Sequence, residues 1–317
     1  MNDEMISEFK HKGYLEPLEK NVMTEEVRDS FPQKYLESIC EENGHIYSVP
    51  FQMDIMMFWV NQELLKQAGL DEIKNTGDFD ILQKSLKNPD QYAYGDAWEN
   101  THVYNSLSQF VNFWGGDYFD WTDPKTKDAA RYMKSMLDEK NTSPAQFVDQ
   151  YEQMEEKFIR GKYGCVFMYT SALGTFLDAD VYGKNKIHMA PLPVLHKKKA
   201  TNIATWQYVL NNASENKDAA VRFLQYAAGY EGSTEYAKIM KSYPARVDVI
   251  ENEDIDLEGI DMIRKYLREY TLNARPLCEN SMGAVSDMGK LFQGYVLGQC
   301  EEDSFFEQAQ NCINTYY

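Results

Sequence analysis

Apolar residues recur along the chain in two rhythms. The first is short and dense. Residues 46–49 run Ile-Tyr-Ser-Val into Pro50, residues 55–60 are apolar throughout, and residues 165–169 run Cys-Val-Phe-Met-Tyr. Residues 187–190, closed by Pro191-Leu192-Pro193, and residues 206–210 are of the same kind. Short runs rich in β-branched and aromatic residues predict buried strands. The second rhythm has helical spacing. Asn61 is placed to cap a helix through Leu64 and Leu65 that stops at Gly69. Asp123-Pro124 and Ser143-Pro144 each set a cap before proline at the first helical position. Met133, Met136 and Leu137 follow the first, and Phe147 and Tyr151 the second. A further helix is expected after Ser214, through Ala220, Phe223, Leu224 and Ala227 to Gly229. Two more run from Met282 to Leu297 and from Phe305 to Ile313. Strands alternating with helices predict an α/β fold with covered sheets.

A length of 317 residues is comfortable for two domains. The charge balance, 32 basic against 50 acidic residues for a net −18, opposes nucleic acid and anionic membranes as partners. It favours a soluble monomer. The longest wholly apolar run, 55–60, is far short of a bilayer span. The chain opens Met1-Asn2-Asp3-Glu4, with neither the basic stretch nor the apolar core of an export signal. Taken literally, that predicts a cytosolic protein. Aromatic residues reach 14%, a supply that serves binding surfaces as well as cores.

Known chemical signatures are sparse. The five cysteines are scattered without a CxxC, which predicts free, mostly buried thiols rather than a metal or redox site. No nucleophile, zincin, dinucleotide or phosphate-loop motif occurs, and the five histidines lie apart from one another. Asp254, Asp256, Glu258 and Gly259 begin like a calcium loop, but Lys265 stands where a bidentate glutamate is needed. A plain acidic turn is expected, and no metal or cofactor. The cluster His196-Lys197-Lys198-Lys199 reads as a solvated loop. Carboxylates are abundant, but no spacing singles out a glycosidase pair.

Several ordered segments carry a resemblance. Gly44-His45-Ile46-Tyr47-Ser48-Val49-Pro50, Asp54 four residues on, and Asn61 to Leu70 resemble a pattern G-K-x-Y-x-V-P, an acidic residue, an apolar strand, then N-x-x-L-x-x-x-A-G-L. Gly115-Gly116-Asp117 with Phe119, Phe158 to Lys162 before the 165–169 run, Ala190-Pro191-Leu192-Pro193, Pro244-Ala245-Arg246 and Arg275-Pro276 continue it in order. So do the segment after Ser214 and the stretch from Gly298 to Ala309. Together they resemble the extracellular solute-binding proteins of carbohydrate ABC importers, the family of maltose-binding protein. Ser171 stands where that family often has a sugar-stacking tryptophan, and nothing near Val285 replaces the C-terminal one, which argues against maltodextrin.

The resemblance implies a two-lobed periplasmic-binding-protein-like α/β fold of type II, closing on its ligand about a hinge. Residues 1–53 with 203–254 are expected in an N-terminal lobe, and 54–202 with 255–317 in a C-terminal lobe. The register places Gly13 to Leu18 on the family's G-Y-L-x-P-L, so on the order of sixty residues, about two βα units, and an export signal are expected ahead of Met1. With that leader, the implied location is the outer face of the membrane, lipid-anchored, or the periplasm. The implied function is non-catalytic capture of a sugar for delivery to permease subunits. A glycoside-processing enzyme and a transporter-independent sugar sensor stay open as alternatives. Expected ligand residues are Asp54, Asp3, Glu4, Trp206, Gln207, Tyr169, Ser171 and Arg246, with Trp98, Tyr104 and Trp114 lining the second lobe. Carboxylates would accept from sugar hydroxyls, arginine would donate, and rings would cover the C–H faces.

Overall fold

The computed structural model describes residues 1–317. Strands β1 (Glu41–Glu42) and β2 (His45–Ile46) form a small antiparallel hairpin. Its turn places Asn43 and Gly44 at positive φ, the conformation a tight two-residue loop needs. The larger sheet contains β3 (Ser48–Asn61), β4 (Tyr92–Gly95), β5 (Tyr163–Tyr169), β6 (Ile187–Ala190), β7 (Ala200–Val209) and β8 (Thr271–Ala274). Its strand order is β4-β5-β3-β7-β8, with β6 also paired to β3.

The chain groups into two compact units. The first holds Met1–Ile55, Ile203–Arg268 and Leu272–Ser281; the second holds Met56–Asn202, Glu269–Thr271 and Met282–Tyr317. Residues 255–268 and 272–281 group with the first unit, although the sequence expectation gave them to the second lobe. Hydrogen bonds account for much of this. Arg264 donates to the carbonyls of Ile250, Asn252 and Ile255, and the Tyr243 hydroxyl to that of Glu258. The acidic segment that begins like a calcium loop is thus folded around a guanidinium.

In the first unit β3 pairs antiparallel with β7, from Ser48↔Val209 to Ile55↔Ile203, with a register shift between Pro50 and Gln52. Two runs expected as separate strands, 46–49 and 55–60, thereby join into one strand beyond Ile46. Pro50 has no N–H to give the ladder, and the irregularity absorbs the loss. Helices Lys217–Ala228 and Tyr230–Met240 pack closely. A Cβ at Gly232 would lie 2.8 Å from the Tyr226 carbonyl carbon.

In the second unit β3 continues antiparallel to β5, from Met56↔Tyr169 to Val60↔Cys165, and to β6; β5 runs parallel to β4. Helix Val103–Trp114 is buried along nearly its whole length and packs on Pro124–Asp138. Its polar groups are matched: the Gln109 amide donates to Ala200 O (2.8 Å) and accepts from Asn202 N (2.9 Å), and the Asn202 amide donates to Asn105 O and Ser108 Oγ. The caps at Asn61 and Asp123 accept backbone N–H groups as expected. Ser143-Pro144 opens only a short 3-10 turn, Pro144–Val148, and the helix proper is Tyr151–Ile159. All five cysteines are free; Cys40 and Cys165 are buried and the other three are half-buried.

Candidate functional site

In the first unit the decisive pair is Trp206 and Gln207, neighbours on β7 that point to opposite faces. Trp206 is 46% exposed. Gln52 stands opposite it on β3, and Asp54, buried, stands opposite Ala204. The Tyr236 hydroxyl donates to Gln52 Oε1 at 2.8 Å. Burial pushes the Tyr236 phenol above its usual range, against a hydrogen bond with Ser242, with smaller upward contributions from Tyr208 and then Asp54. A half-exposed indole is therefore accompanied by an amide and a carboxylate on the adjoining strand. Backbone at Met1 and Asn2 pairs beside the ring, with Gln207 N donating to Met1 O at 2.8 Å.

Gln207 itself is spent in the core. Its amide nitrogen donates to the Tyr35 hydroxyl (2.9 Å), and its oxygen accepts from Cys40 Sγ (3.1 Å) and from Ser48 Oγ. Arg246, expected as a ligand contact, is buried and ties three segments. It donates to Ala228 O (2.8 Å), Ser30 Oγ (2.7 Å) and the Asp248 carboxylate. Asp3 and Glu4 both meet Arg275: its Nε donates to Asp3 Oδ2 (3.2 Å), its Nη1 to Glu4 Oε1 (2.7 Å), and its Nη2 pairs with Asp3. Asp3 is wholly buried, so its charge is held for the fold.

In the second unit the Tyr169 hydroxyl donates to Asn105 Oδ1 at 2.9 Å, and its ring meets Tyr151 edge-on. Tyr151 in turn meets the His102 ring edge-on at 5.4 Å. His102 Nδ1 lies 3.0 Å from Glu99 Oε2, which also accepts from Thr101 N (2.9 Å) and Thr101 Oγ1 (2.5 Å). Partial burial opposes ionisation of Glu99, but the Thr101 and His102 hydrogen bonds carry its carboxyl below the usual value. Ser171 is exposed just before helix Ala172–Asp178. Trp98, Tyr104 and Trp114, expected to line a site, are buried instead. Trp98 packs edge-on to Phe147 and Phe292, and Trp114 stacks on His196 at 4.9 Å. Gln52, Tyr236, Glu99, Thr101, His102, Asn105 and Tyr151 escaped the sequence reading. The readable signal was Glu99-x-Thr101-His102 just before a helix, the type of local side-chain-to-backbone turn that fixes a polar loop.

Residues 2–234 match the profile of the bacterial extracellular solute-binding proteins. The chain belongs to that family. Its members, and the relatives below, are described as binding proteins and not as enzymes. The chain is 24% identical over 239 residues to a probable amino-acid ABC transporter periplasmic-binding protein of Sinorhizobium fredii, covering 72% of this chain and 54% of that one. It is 23% identical over 248 residues to the arabinooligosaccharide-binding protein of Bacillus subtilis, covering 74% and 56%. It thus spans about half the length of the curated relatives it matches. The structure of a Thermotoga lettingae ABC transporter solute-binding protein bound with α-D-tagatose aligns with a TM-score of 0.84 at 18% identity, covering 99% of this chain and 83% of that one. The fold is the α/β fold of the periplasmic solute-binding proteins. No helix is long and apolar enough to cross a membrane.

Proposed function

We propose that this family member captures a sugar or polyol as the non-catalytic binding component of an ABC importer, working outside the membrane and delivering the solute to permease subunits. The observation that carries this reading is the half-exposed Trp206 ring with Gln52 and Asp54 on the neighbouring strand. An indole covers the C–H face of a sugar, while carboxylate and amide oxygens accept from its hydroxyls. Within the second unit, the polar loop of Glu99, Thr101 and His102 carries carboxylate, hydroxyl and imidazole groups of the same sugar-compatible chemistry. The tagatose and arabinooligosaccharide named for two similar proteins are of the same class.

The name of the Sinorhizobium relative raises a second reading, an amino-acid ligand. A free amino acid needs a cation for its carboxylate. In the first unit Arg275 is paired with Asp3 and Glu4, and Arg246 with Asp248, which favours a neutral polyhydroxylated solute. Calorimetric titration with α-D-tagatose, ribitol, maltose, arabinooligosaccharides and a set of amino acids separates the two. Binding of at least one sugar or polyol, recovered chemically unchanged, is expected. Trp206→Ala should weaken it about tenfold, the scale of one lost ring contact. Binding confined to amino acids, or turnover of any glycoside, overturns the proposal.

A further inference from the structure

Helix Ser281–Val296 of the second unit carries Ser286, Gly289 and Gln293 at spacings of three and four, so the three share one face. Ser286 and Gly289 meet Asn100 inside the Glu99–His102 loop, and Gln293 meets Trp98 just before it. The Asn100 amide donates to Ser286 Oγ at 3.2 Å. Gln293 Nε2 donates to Trp98 O at 2.5 Å and to Phe147 O at 3.1 Å, holding two segments with one amide. At Gly289 the contact is backbone to backbone. A Cβ there would overlap the Asn100 carbonyl oxygen and lie 2.7 Å from its carbon and 2.8 Å from its Cα. Those are distances no side-chain rotation relieves. Phe292, next on the helix, packs edge-on to Trp98 at 5.4 Å. From the other side the loop is pinned by Trp98 N to Gln146 O (2.8 Å) and Glu99 N to Asp149 O (3.2 Å).

We propose that Ser286, Gly289 and Gln293 are positioning residues that set where the Glu99–Thr101–His102 loop stands, and through it the affinity for the captured solute. The placement of the loop is a matter of the contacts above. Its effect on affinity rests on the sugar-binding reading. A polar contact is only as exact as the shell that holds it, and here the shell is one helix face.

The test compares Gly289→Ala with Gly294→Ala in the full chain. Both replace a glycine of the same helix with alanine, Gly294 lying in its last turn, so each gains helix propensity. A Cβ at Gly294 would meet only Gln299 Oε1 at 3.9 Å, an ordinary contact. Gln293→Met, which keeps the length and removes the donor, is the third variant. Two readouts need no solute: amide hydrogen exchange at Trp98, Glu99 and Thr101, and the ring ¹⁵N shifts of His102, which report its contact with Glu99. Gly289→Ala and Gln293→Met should speed exchange at these amides about tenfold and move the His102 shifts, while Gly294→Ala does neither. Titration with α-D-tagatose, maltose and ribitol should show about a tenfold weaker binding in the same two variants only. Unchanged exchange and shifts in Gly289→Ala overturn the positioning role. Altered exchange with unchanged sugar affinity overturns the link to binding. If the unaltered chain binds none of the three probes, the affinity half fails together with the sugar reading, and the exchange and shifts still decide the loop half.

Discussion

Trp206 and Gln207 show what a residue's identity conveys and what it withholds. Both are chemically suited to a sugar, and on an ideal strand one faces outward and the other inward. Which one does so depends on the register against β3, and that register shifts between Pro50 and Gln52. The sequence reading therefore named both residues, and the structure spends Gln207 on Tyr35, Cys40 and Ser48. The same ambiguity affects Trp98 and Trp114, since an indole is as useful in a core as on a surface. Asp54 was singled out because its motif fixes its place four residues after Pro50. Glu99 was not, because its partners, Thr101 and His102, acquire meaning only when the turn is folded. Its carboxyl is held below the ordinary 4.5. An acid with a depressed folded value stabilises the fold above its unfolded value, and that contribution disappears as pH falls through the folded one. Glu99→Gln should therefore flatten the loss of stability below about pH 4.5 and have its largest effect near neutrality. Urea unfolding repeated from pH 3 to pH 7 checks this.

At the scale of elements, strands that are continuous apolar runs were readable, and so were helices with a cap and a stripe. Val103–Trp114 was missed for a physical reason. It is buried nearly all round, so its polar stripe of Asn105, Ser108, Gln109 and Asn112, although at helical spacing, faces partners inside the unit where a surface helix would face water. Its polar groups are tolerated because each named partner lies within the same unit. The strand pair β4–β5 illustrates close fit of a different kind. A Cβ at Gly95 would lie 2.6 Å from Tyr163 Cε2, inside the aromatic ring's own space. Gly95→Ala should destabilise the chain by about 1–3 kcal/mol, the range for overpacking a filled core. The urea midpoint should drop while the dependence on urea stays unchanged, since the surface exposed on unfolding is the same. A midpoint equal to that of the unaltered chain would show that the pair can spread without cost.

Taken as a whole molecule, the chain groups into two compact units that share β3 and β7, and its family membership rests on residues 2–234. The ordered motifs were legible because they span most of the chain. The split was less so, since residues 255–281 lie far along the sequence yet mostly group with its beginning. A solute that binds only the folded chain must raise its stability by mass action, by about 2.7 kcal/mol at a hundredfold excess over Kd. The melting temperature should therefore climb with the logarithm of tagatose or ribitol concentration for whichever of them binds, and stay flat for the others. Differential scanning calorimetry at several solute concentrations measures this directly. Trp206 adds an optical consequence. Of the five tryptophans, Trp59, Trp98, Trp114 and Trp121 are buried and Trp206 alone is exposed. The emission that a dissolved quencher such as acrylamide can reach thus comes from a single known ring. A solute lying over that ring shields it from collisions, so the unlabelled protein carries its own reporter of occupancy.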